Sequence, residues 1–379
     1  PAALPDHYYD VRAEVGSYPE PYSYFWFNRE DGERIWVQFN NASRRDIDQA
    51  YAKSSDTTRI MFLGDSYTAG WQVPLAETYT TQLRSLLSAA SDFEVINAGY
   101  HGWGTDRQYL YYRTDGYRYD SEIVILQMYV GNDVIDNGIA GFEPVTLADG
   151  RALRLYALPS IRPYFILDEN NTLAFTPPRA VIRSRKEGIG GVRSFLRHYS
   201  FTYTLLERIS SIFSQSDDTS DNFPLDEIPI DLYAYSEESQ AREDWINAWA
   251  ITEALIQTLR DEVEANGGEL RVLLIDTRWQ HEPNRRNEFL ETWDLPSDWT
   301  GEQLGQQMRD LLERNAIPYL APLPELLNYA DETGEAIVLP QDGHFTAAGH
   351  CVVAVEIHNW LVEEEILPSD TRPQSAINQ

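Results

Sequence analysis

Lysine, cysteine and long apolar runs are scarce in this 379-residue chain, and each scarcity removes a class of explanation. Lys53 and Lys186 are its only lysines; with arginine they make 30 basic residues against 60 acidic ones, a formal charge of −30. A surface so acidic repels nucleic-acid phosphates and anionic bilayers, so neither is expected as a partner. The skew toward Arg fits a GC-rich genome, a salty habitat, or both. One cysteine, Cys351, excludes an intrachain disulfide and any multi-cysteine metal site. No apolar run approaches the roughly 18 residues that a membrane-spanning helix needs, so no transmembrane segment is expected. Pro1 opens the chain without Met, as after removal of an export signal or anchor, and as a cloning boundary would also leave it. The expectation carried forward is an extracytoplasmic protein.

What is present is the composition of a folded protein, 42% hydrophobic and 12% aromatic, with 10 Trp and 23 Tyr. The length suits two or three average domains or one elaborated α/β domain. Four apolar runs, Arg59 to Leu63, Phe93 to Asn97, Glu122 to Met128 and Leu270 to Ile275, predict buried parallel strands. Pro318 to Leu320 is a fifth, weaker run. Helical periodicity lies between and after them. Leu75 to Ala90 sets Tyr79, Leu83, Leu86 and Leu87 on one face. Ser236 to Asn266 does the same with Trp245, Trp249, Thr252, Leu255, Ile256, Leu259 and Val263, then stops at Gly267-Gly268. Thr300 and Gln303 have the spacing of a capping box for a helix carrying Leu304, Met308, Leu311 and Leu312 inward. A last helix runs from about Ala347 to Glu364.

This alternation predicts a three-layer α/β/α domain, a mostly parallel five-stranded sheet with helices on both faces, built from residues 56–137 and 236–367. Residues 1–55, rich in aromatics and without clear periodicity, are expected to pack on the core as an N-terminal extension. Residues 138–235 are too long for one crossover and are interrupted by Pro159, Pro163, Pro177 and Pro178, so they read as an inserted lid or cap. Ser214 to Asn222 within it reads as a mobile polar loop, and residues 368–379 as a C-terminal tail.

The first strand ends in Gly64-Asp65-Ser66-Tyr67, at the sheet edge where open α/β folds collect their ligands. Alone, Ser66 reads as a serine capping a helix. Asn97 to Gly104 follows the second strand and Val130-Gly131-Asn132-Asp133 the third, again at carboxyl ends. Acyl transfer needs donors aimed at an oxyanion, and a Gly backbone amide at Gly102 with the Asn132 side chain can supply them. Taken singly, these are a turn and a bend. Asp342-Gly343-His344-Phe345-Thr346 precedes the last helix, and His344, entering from a loop, has a carboxylate two residues earlier to orient its ring. His101, beside Gly102, is the nearer rival; His350 is expected inside the last helix, and His358 and His198 as surface or partly packed residues.

These pieces, in this order, resemble the SGNH (GDSL-like) hydrolase superfamily over about Arg59 to Trp360. Its Gly-Asp-Ser block matches Gly64-Asp65-Ser66, its oxyanion glycine Gly102, its asparagine Asn132 and its histidine His344. The resemblance implies a flavodoxin-like fold and a metal-independent serine esterase. Ser66 would be the nucleophile, His344 the general base and Asp342 its orienting acid. The oxyanion hole would be the Ser66 and Gly102 amides with the Asn132 side chain. Two places depart from the pattern. Tyr67 stands where the Gly-Asp-Ser-Leu form has Leu, a change expected to leave the catalytic atoms untouched. The usual acid lies three residues before the histidine, where this chain has Gln341; Asp-x-His spacing is similar to that of polysaccharide O-acetyl esterase and acetyltransferase relatives.

The superfamily acts on acetylated sugars, lipid esters, thioesters and aryl esters, so the resemblance names no substrate. Carbohydrate O-deacetylation leads, a small-molecule or carbohydrate ester being the expected partner. A lipid esterase or lysophospholipase and an O-acyltransferase are the enzyme alternatives, and a non-catalytic carbohydrate- or surface-binding protein on this scaffold is the rival of another class. Tyr156, Tyr164, Phe165, Phe175, Phe195, Tyr199, Phe201 and Tyr203 in the insertion wall a site or form the lid's own core. Pro177 to Ile212 carries seven cations against Glu187 and Glu207, a basic island that is either a solvated face or a dock for an anionic substrate. Trp279, Trp293 and Trp299 are candidates for the pocket wall or for packing. No cofactor is implied, since neither a metal cluster nor a phosphate-cradling loop is visible.

Overall fold

A computed structural model describes residues 9–12, 15–89, 92–147, 149–155, 162–177 and 227–367. Two antiparallel hairpins come first, β1 (Tyr9–Arg12) with β2 (Gly16–Pro19) and β3 (Tyr24–Asn28) with β4 (Arg34–Gln38). Next come β5 (Thr58–Leu63), β6 (Phe93–Asn97) and β7 (Ile123–Tyr129). Short strands β8 (Ala152–Arg154), β9 (Tyr164–Leu167), β10 (Leu173–Thr176) and β11 (Glu227–Pro229) precede β12 (Glu269–Ile275) and β13 (Tyr319–Leu320). The central sheet has five strands in the order β6-β5-β7-β12-β13, all parallel. Counted along the sheet strands alone, that order is 2-1-3-4-5, the doubly wound flavodoxin-like arrangement. The fold is therefore the α/β/α one that the resemblance implies. Its direction of winding reverses between β5 and β7, which opens a crevice at their carboxyl ends.

Double-sided burial explains the largely apolar runs. Met61, Leu63, Val124, Leu126, Val272 and Leu274 join one core with the helices at 105–114, 243–265 and 302–314. Ile60, Phe62, Ile123, Ile125, Leu273 and Ile275 join the other, under the helices at 79–86, 323–333 and 347–363. No described helix is long and apolar enough to cross a membrane.

Local side-chain bonds redraw several expected helices. The run from Leu75 is a 3₁₀ turn at 75–77, then a helix at 79–86 capped by Thr78, then a second 3₁₀ turn at 87–89. Ser236 to Asn266 is two helices, 237–240 and 243–265, because Arg242 is extended (φ −78°, ψ 143°) with its guanidinium bound to Asp244. The capping box expected at Thr300 and Gln303 is absent: Gly301, at φ +73°, caps that helix, and Gln303 donates instead to the Tyr235 carbonyl at 2.5 Å. Thr277 and Gln280 form a capping box further upstream.

Residues 15–55 do have periodicity, in β3 and β4, whose inward Ile35 and Val37 enter the core. Arg59 locks the extension to the sheet, donating to the carbonyls of Ala50, Tyr51, Ala52 and Tyr119 and pairing with Glu94 at 2.6 Å. Arg44 is buried among the rings of Tyr18, Trp103 and Tyr111, at 4.6, 4.7 and 3.7 Å. In the insertion, β8 pairs with β11 and β9 with β10, while Phe165 packs on Tyr109 at 5.7 Å. The basic island beyond Pro177, the Ser214 to Asn222 loop, Tyr156, Phe195, His198, Tyr199, Phe201, Tyr203 and the tail at 368–379 lie outside the described residues.

Candidate active site

Ser66 stands one turn past β5, at the winding reversal, as the first residue of a short helix at Ser66–Ala69. Asp65 caps that turn by accepting from the Tyr67 amide at 2.8 Å. Being first, the Ser66 amide has no intrahelical partner. The close approach depends on Gly64, where a Cβ would lie 1.9 Å from Thr68 Oγ1. Gln127 of β7 fastens the turn, its Oε1 accepting from the Asp65 amide at 3.1 Å and from Thr68 Oγ1 at 2.8 Å.

The structure brings Ser66, His344 and Asp342 together although Ser66 and His344 are 278 positions apart: Ser66 Oγ lies 2.6 Å from His344 Nε2, and His344 Nδ1 is hydrogen-bonded to Asp342 Oδ1. Burial by itself raises the Asp342 pKa, but the bond to His344 and its charge outweigh burial and hold it below the ordinary carboxylate value. The loop bearing these two residues is gripped from several sides. Glu30 accepts from the Gln341 and Asp342 amides at 2.9 and 2.7 Å, and Gln72 donates to Asp342 at 3.2 Å. Arg278, just past β12, donates to the carbonyls of Gln341, at 2.9 Å, and Pro340. Tyr67 donates to the Gly343 carbonyl at 2.9 Å, and its ring centroid lies 4.8 Å from that of His344.

Tyr67 is therefore no inert replacement for leucine, since it braces the loop behind the histidine. Glu30, Gln72 and Arg278 are likewise contacts that sequence reading missed. Arg278 carried a signal, its place after a sheet strand, whereas Glu30 and Gln72 carried none.

Gly102 follows β6 in a left-handed conformation (φ +73°) with open space where a side chain would stand. His101 beside it stacks on Trp71 at 4.6 Å and lies 6.5 Å from His344. Loss of water and the neighbouring His344 both lower its pKa. Asn132 follows β7; its Oδ1 is buried without a hydrogen-bond partner. A cavity of about 400 Å³ is lined by Asn132 and Asp342 with Tyr129, Tyr235, Trp279, Phe289, Asp136, Asp231 and Arg278, among others. Ser66, His344 and Gly102 are not among its lining residues. Trp279 is thus on the pocket wall, while Trp299 packs edge-on against Tyr233 at 6.1 Å and Trp293 is buried. His350 lies in the last helix as expected; His358, expected near the surface, is fully buried there, because the apolar helix is enclosed.

Behind Ser66 lies a buried acidic group. Burial raises Asp65 to about 6, against the Tyr67 bond and the His344 charge that pull it back. Asp133 is raised further, by burial first and the Asp65 charge second. Asp136 and Asp106 close the group, bound to Arg162 at 3.0 and 3.3 Å.

A doubly wound α/β protein with a serine, histidine and aspartate joined in series at its winding reversal is the class that fold and site define. No protein-family model matches the sequence, and no curated protein matches it significantly. Among solved structures the chain is similar to LAE5, an alpha/beta hydrolase enzyme from the metagenome of Lake Arreo, Spain, at 12% identity and TM-score 0.38 over 85% of this chain and 100% of that one. It is similar to the acetyl xylan esterase AlAXEase at 13% identity and TM-score 0.37, over 80% and 99%. It is also similar to a catalytic mutant of Axe2, an acetylxylan esterase from Geobacillus stearothermophilus, at 12% identity and TM-score 0.38, over 82% and 96%. Likeness at this level assigns neither substrate nor mechanism.

Proposed function

We propose that this chain is a serine esterase working through an acyl-enzyme, with Ser66 as nucleophile, His344 as general base and Asp342 as the group that orients and charges the imidazole. The observation that carries the reading is the serine hydroxyl 2.6 Å from an imidazole whose other nitrogen is held by a carboxylate. In the first half-reaction Ser66 Oγ bonds to the ester carbon as its proton passes to His344 Nε2. The amides of Ser66 and Gly102 and the Asn132 side chain donate to the resulting oxyanion. When the intermediate collapses, the alcohol oxygen leaves with the proton from His344. Water then follows the same route, releasing the carboxylic acid and restoring the serine.

The substrate reading is an O-acetyl ester of a carbohydrate. Its support is the cavity beside Asn132 and Asp342, where Tyr129, Tyr235, Trp279 and Phe289 alternate with Asp136, Asp231 and Arg278. A sugar presents apolar faces and hydroxyl edges to such a mixed wall, whereas a long acyl chain gains nothing from its charged members.

A fluorophosphonate probe is expected to label the parent chain and not Ser66→Ala. With p-nitrophenyl esters from acetate to palmitate, Ser66→Ala is expected to lower kcat by at least about 10³-fold, with acetate the preferred acyl group in the parent. Undiminished turnover by Ser66→Ala would end the serine reading. A preference for palmitate would replace the carbohydrate substrate with a lipid one.

A further inference from the structure

Hairpin β3–β4 lies on the core with one face and meets water with the other. Ile35 and Val37 are buried, and Phe25 meets Trp71 edge-on at 4.9 Å. The wet face of an antiparallel ribbon is ordinarily polar. Here Tyr24, Trp26 and Trp36 stand on it with 54, 49 and 39% of their surface exposed. Trp26 and Trp36 are paired across the strands with ring centroids 4.9 Å apart; Tyr24 is 4.5 Å from Trp36, and the Arg34 guanidinium lies 4.9 Å from the Trp26 ring. The inward face already anchors the ribbon, so folding does not require three large rings outside. The strip also runs toward the site: two residues past Asn28, Glu30 bonds to the amides of Gln341 and Asp342.

We propose that this outer face is a platform for a neutral glycan chain of pyranose rings, which it holds while an ester on that chain is presented at Ser66; the second clause rests on the esterase reading, the first does not. Chemistry selects the occupant. Flat aromatic faces match the C–H faces of pyranose rings, and Asn28, Arg34 and Gln38, exposed on the same side, offer polar edges to hydroxyls. A purely apolar partner would have no use for that polar border. Tyr24 to Asn28 extends roughly 13 Å, room for more than one sugar ring. The charge of −30 carried by the whole chain opposes an anionic polymer or an anionic bilayer, while at the turn Asp31 and Glu33 are paired with Arg29.

The test uses the full chain carrying Ser66→Ala, titrated with xylohexaose and mannohexaose by calorimetry and by tryptophan fluorescence. At least one hexasaccharide is expected to bind. Adding Trp26→Ala and Trp36→Ala is expected to weaken it about tenfold or more, and Trp26→Tyr with Trp36→Tyr to keep most of the affinity. With Ser66 restored, the double alanine variant is expected to hydrolyse p-nitrophenyl acetate at the parental rate. If that variant does not melt cooperatively, Trp26→Gln, which leaves Trp36 in place, is read instead. Binding by neither sugar, binding indifferent to the tryptophans, or tryptophan-dependent binding to phosphatidylcholine vesicles instead of sugar would overturn the platform. Sugar binding without any ester turnover in the parent would sink the esterase reading alone, and turnover without sugar binding would sink the platform alone.

Discussion

Glu30 commits one carboxylate oxygen to two backbone amides of the loop that presents Asp342 and His344. Removing it leaves both amides without that acceptor and lets the loop drift from Ser66, although no reacting atom is touched. Bonds to a charged acceptor contribute about 1.5–3 kcal/mol each, and a 1 Å displacement of a catalytic group costs about 100-fold. Glu30→Ala is therefore expected to lower kcat for p-nitrophenyl acetate by about 10- to 100-fold with KM nearly unchanged, and Glu30→Gln, which keeps an acceptor oxygen, to recover most of it. A parental kcat in Glu30→Ala would show that the loop holds its shape without this brace. The meeting of Ser66, Asp342 and His344 was legible because the proposed chemistry demands particular residue types beside particular strand ends. Glu30 was not, because its partners are main-chain amides more than 300 positions away that any sequence supplies. The brace from Tyr67 was not legible for the same reason: its hydroxyl serves a carbonyl, the Gly343 oxygen.

The element that carries Ser66 is a strand-to-helix turn with no spare room. A methyl group on Gly64 would meet Thr68 Oγ1 at 1.9 Å and Gln127 Oε1 at 2.7 Å, two atoms already bonded to each other. Gly64→Ala is expected to destabilise the chain by about 1–3 kcal/mol or more through overpacking. Because Gln127 also holds the Asp65 amide, the serine should shift and ester turnover fall with the melting temperature. Thr68→Ala in the same chain removes the nearer oxygen but leaves the Thr68 Cβ position 2.7 Å away, so partial rescue in thermal melts is the expected result. A Gly64→Ala chain melting at the parental temperature would show that the turn gives way freely. Elements were legible where burial alone decides them: the four main sheet strands showed as largely apolar runs because both their faces are covered. Thr78 and Arg242 divide helices through side-chain bonds that periodicity does not register. The alternation in β3 and β4 was present in the sequence but hidden, since aromatic residues occupy both faces of that ribbon.

Over the whole molecule, buried ionisable groups tie stability to pH. Burial holds His281 at about 4, with a hydrogen bond to the Thr277 carbonyl opposing it. Burial, then the charges of Arg45 and His344, hold His350 at about 3, and its Nδ1 accepts from the Tyr79 amide at 3.3 Å. Unfolded, each titrates near about 6.5. Between that value and the folded one the unfolded chain binds the extra proton, so stability rises with pH and is lost on acidification, by up to about 1.4 kcal/mol per pH unit for each ring. Asp65 acts oppositely: at about 6 when folded and about 3.9 when unfolded, it favours the native state where it is protonated, and that contribution fades as pH rises across the interval. Asp46, Asp133, Asp136 and Asp276 are raised by burial as well and act with Asp65, whereas His101, lowered to about 4, acts with the other two rings, so the contribution of one ring is read by substituting it. Asp342, lowered when folded, adds its own loss only as pH falls below about 3.9. Urea midpoints measured from pH 7 to 4.5 in about 0.5 M salt, which screens the repulsion among surface carboxylates, give the pH slope of the whole chain. His350→Gln, which keeps an acceptor for the Tyr79 amide but takes up no proton, is expected to shift that slope by close to one proton, toward less stability lost on acidification. An unchanged slope in that variant would mean that His350 takes up its proton as readily inside the fold as outside it.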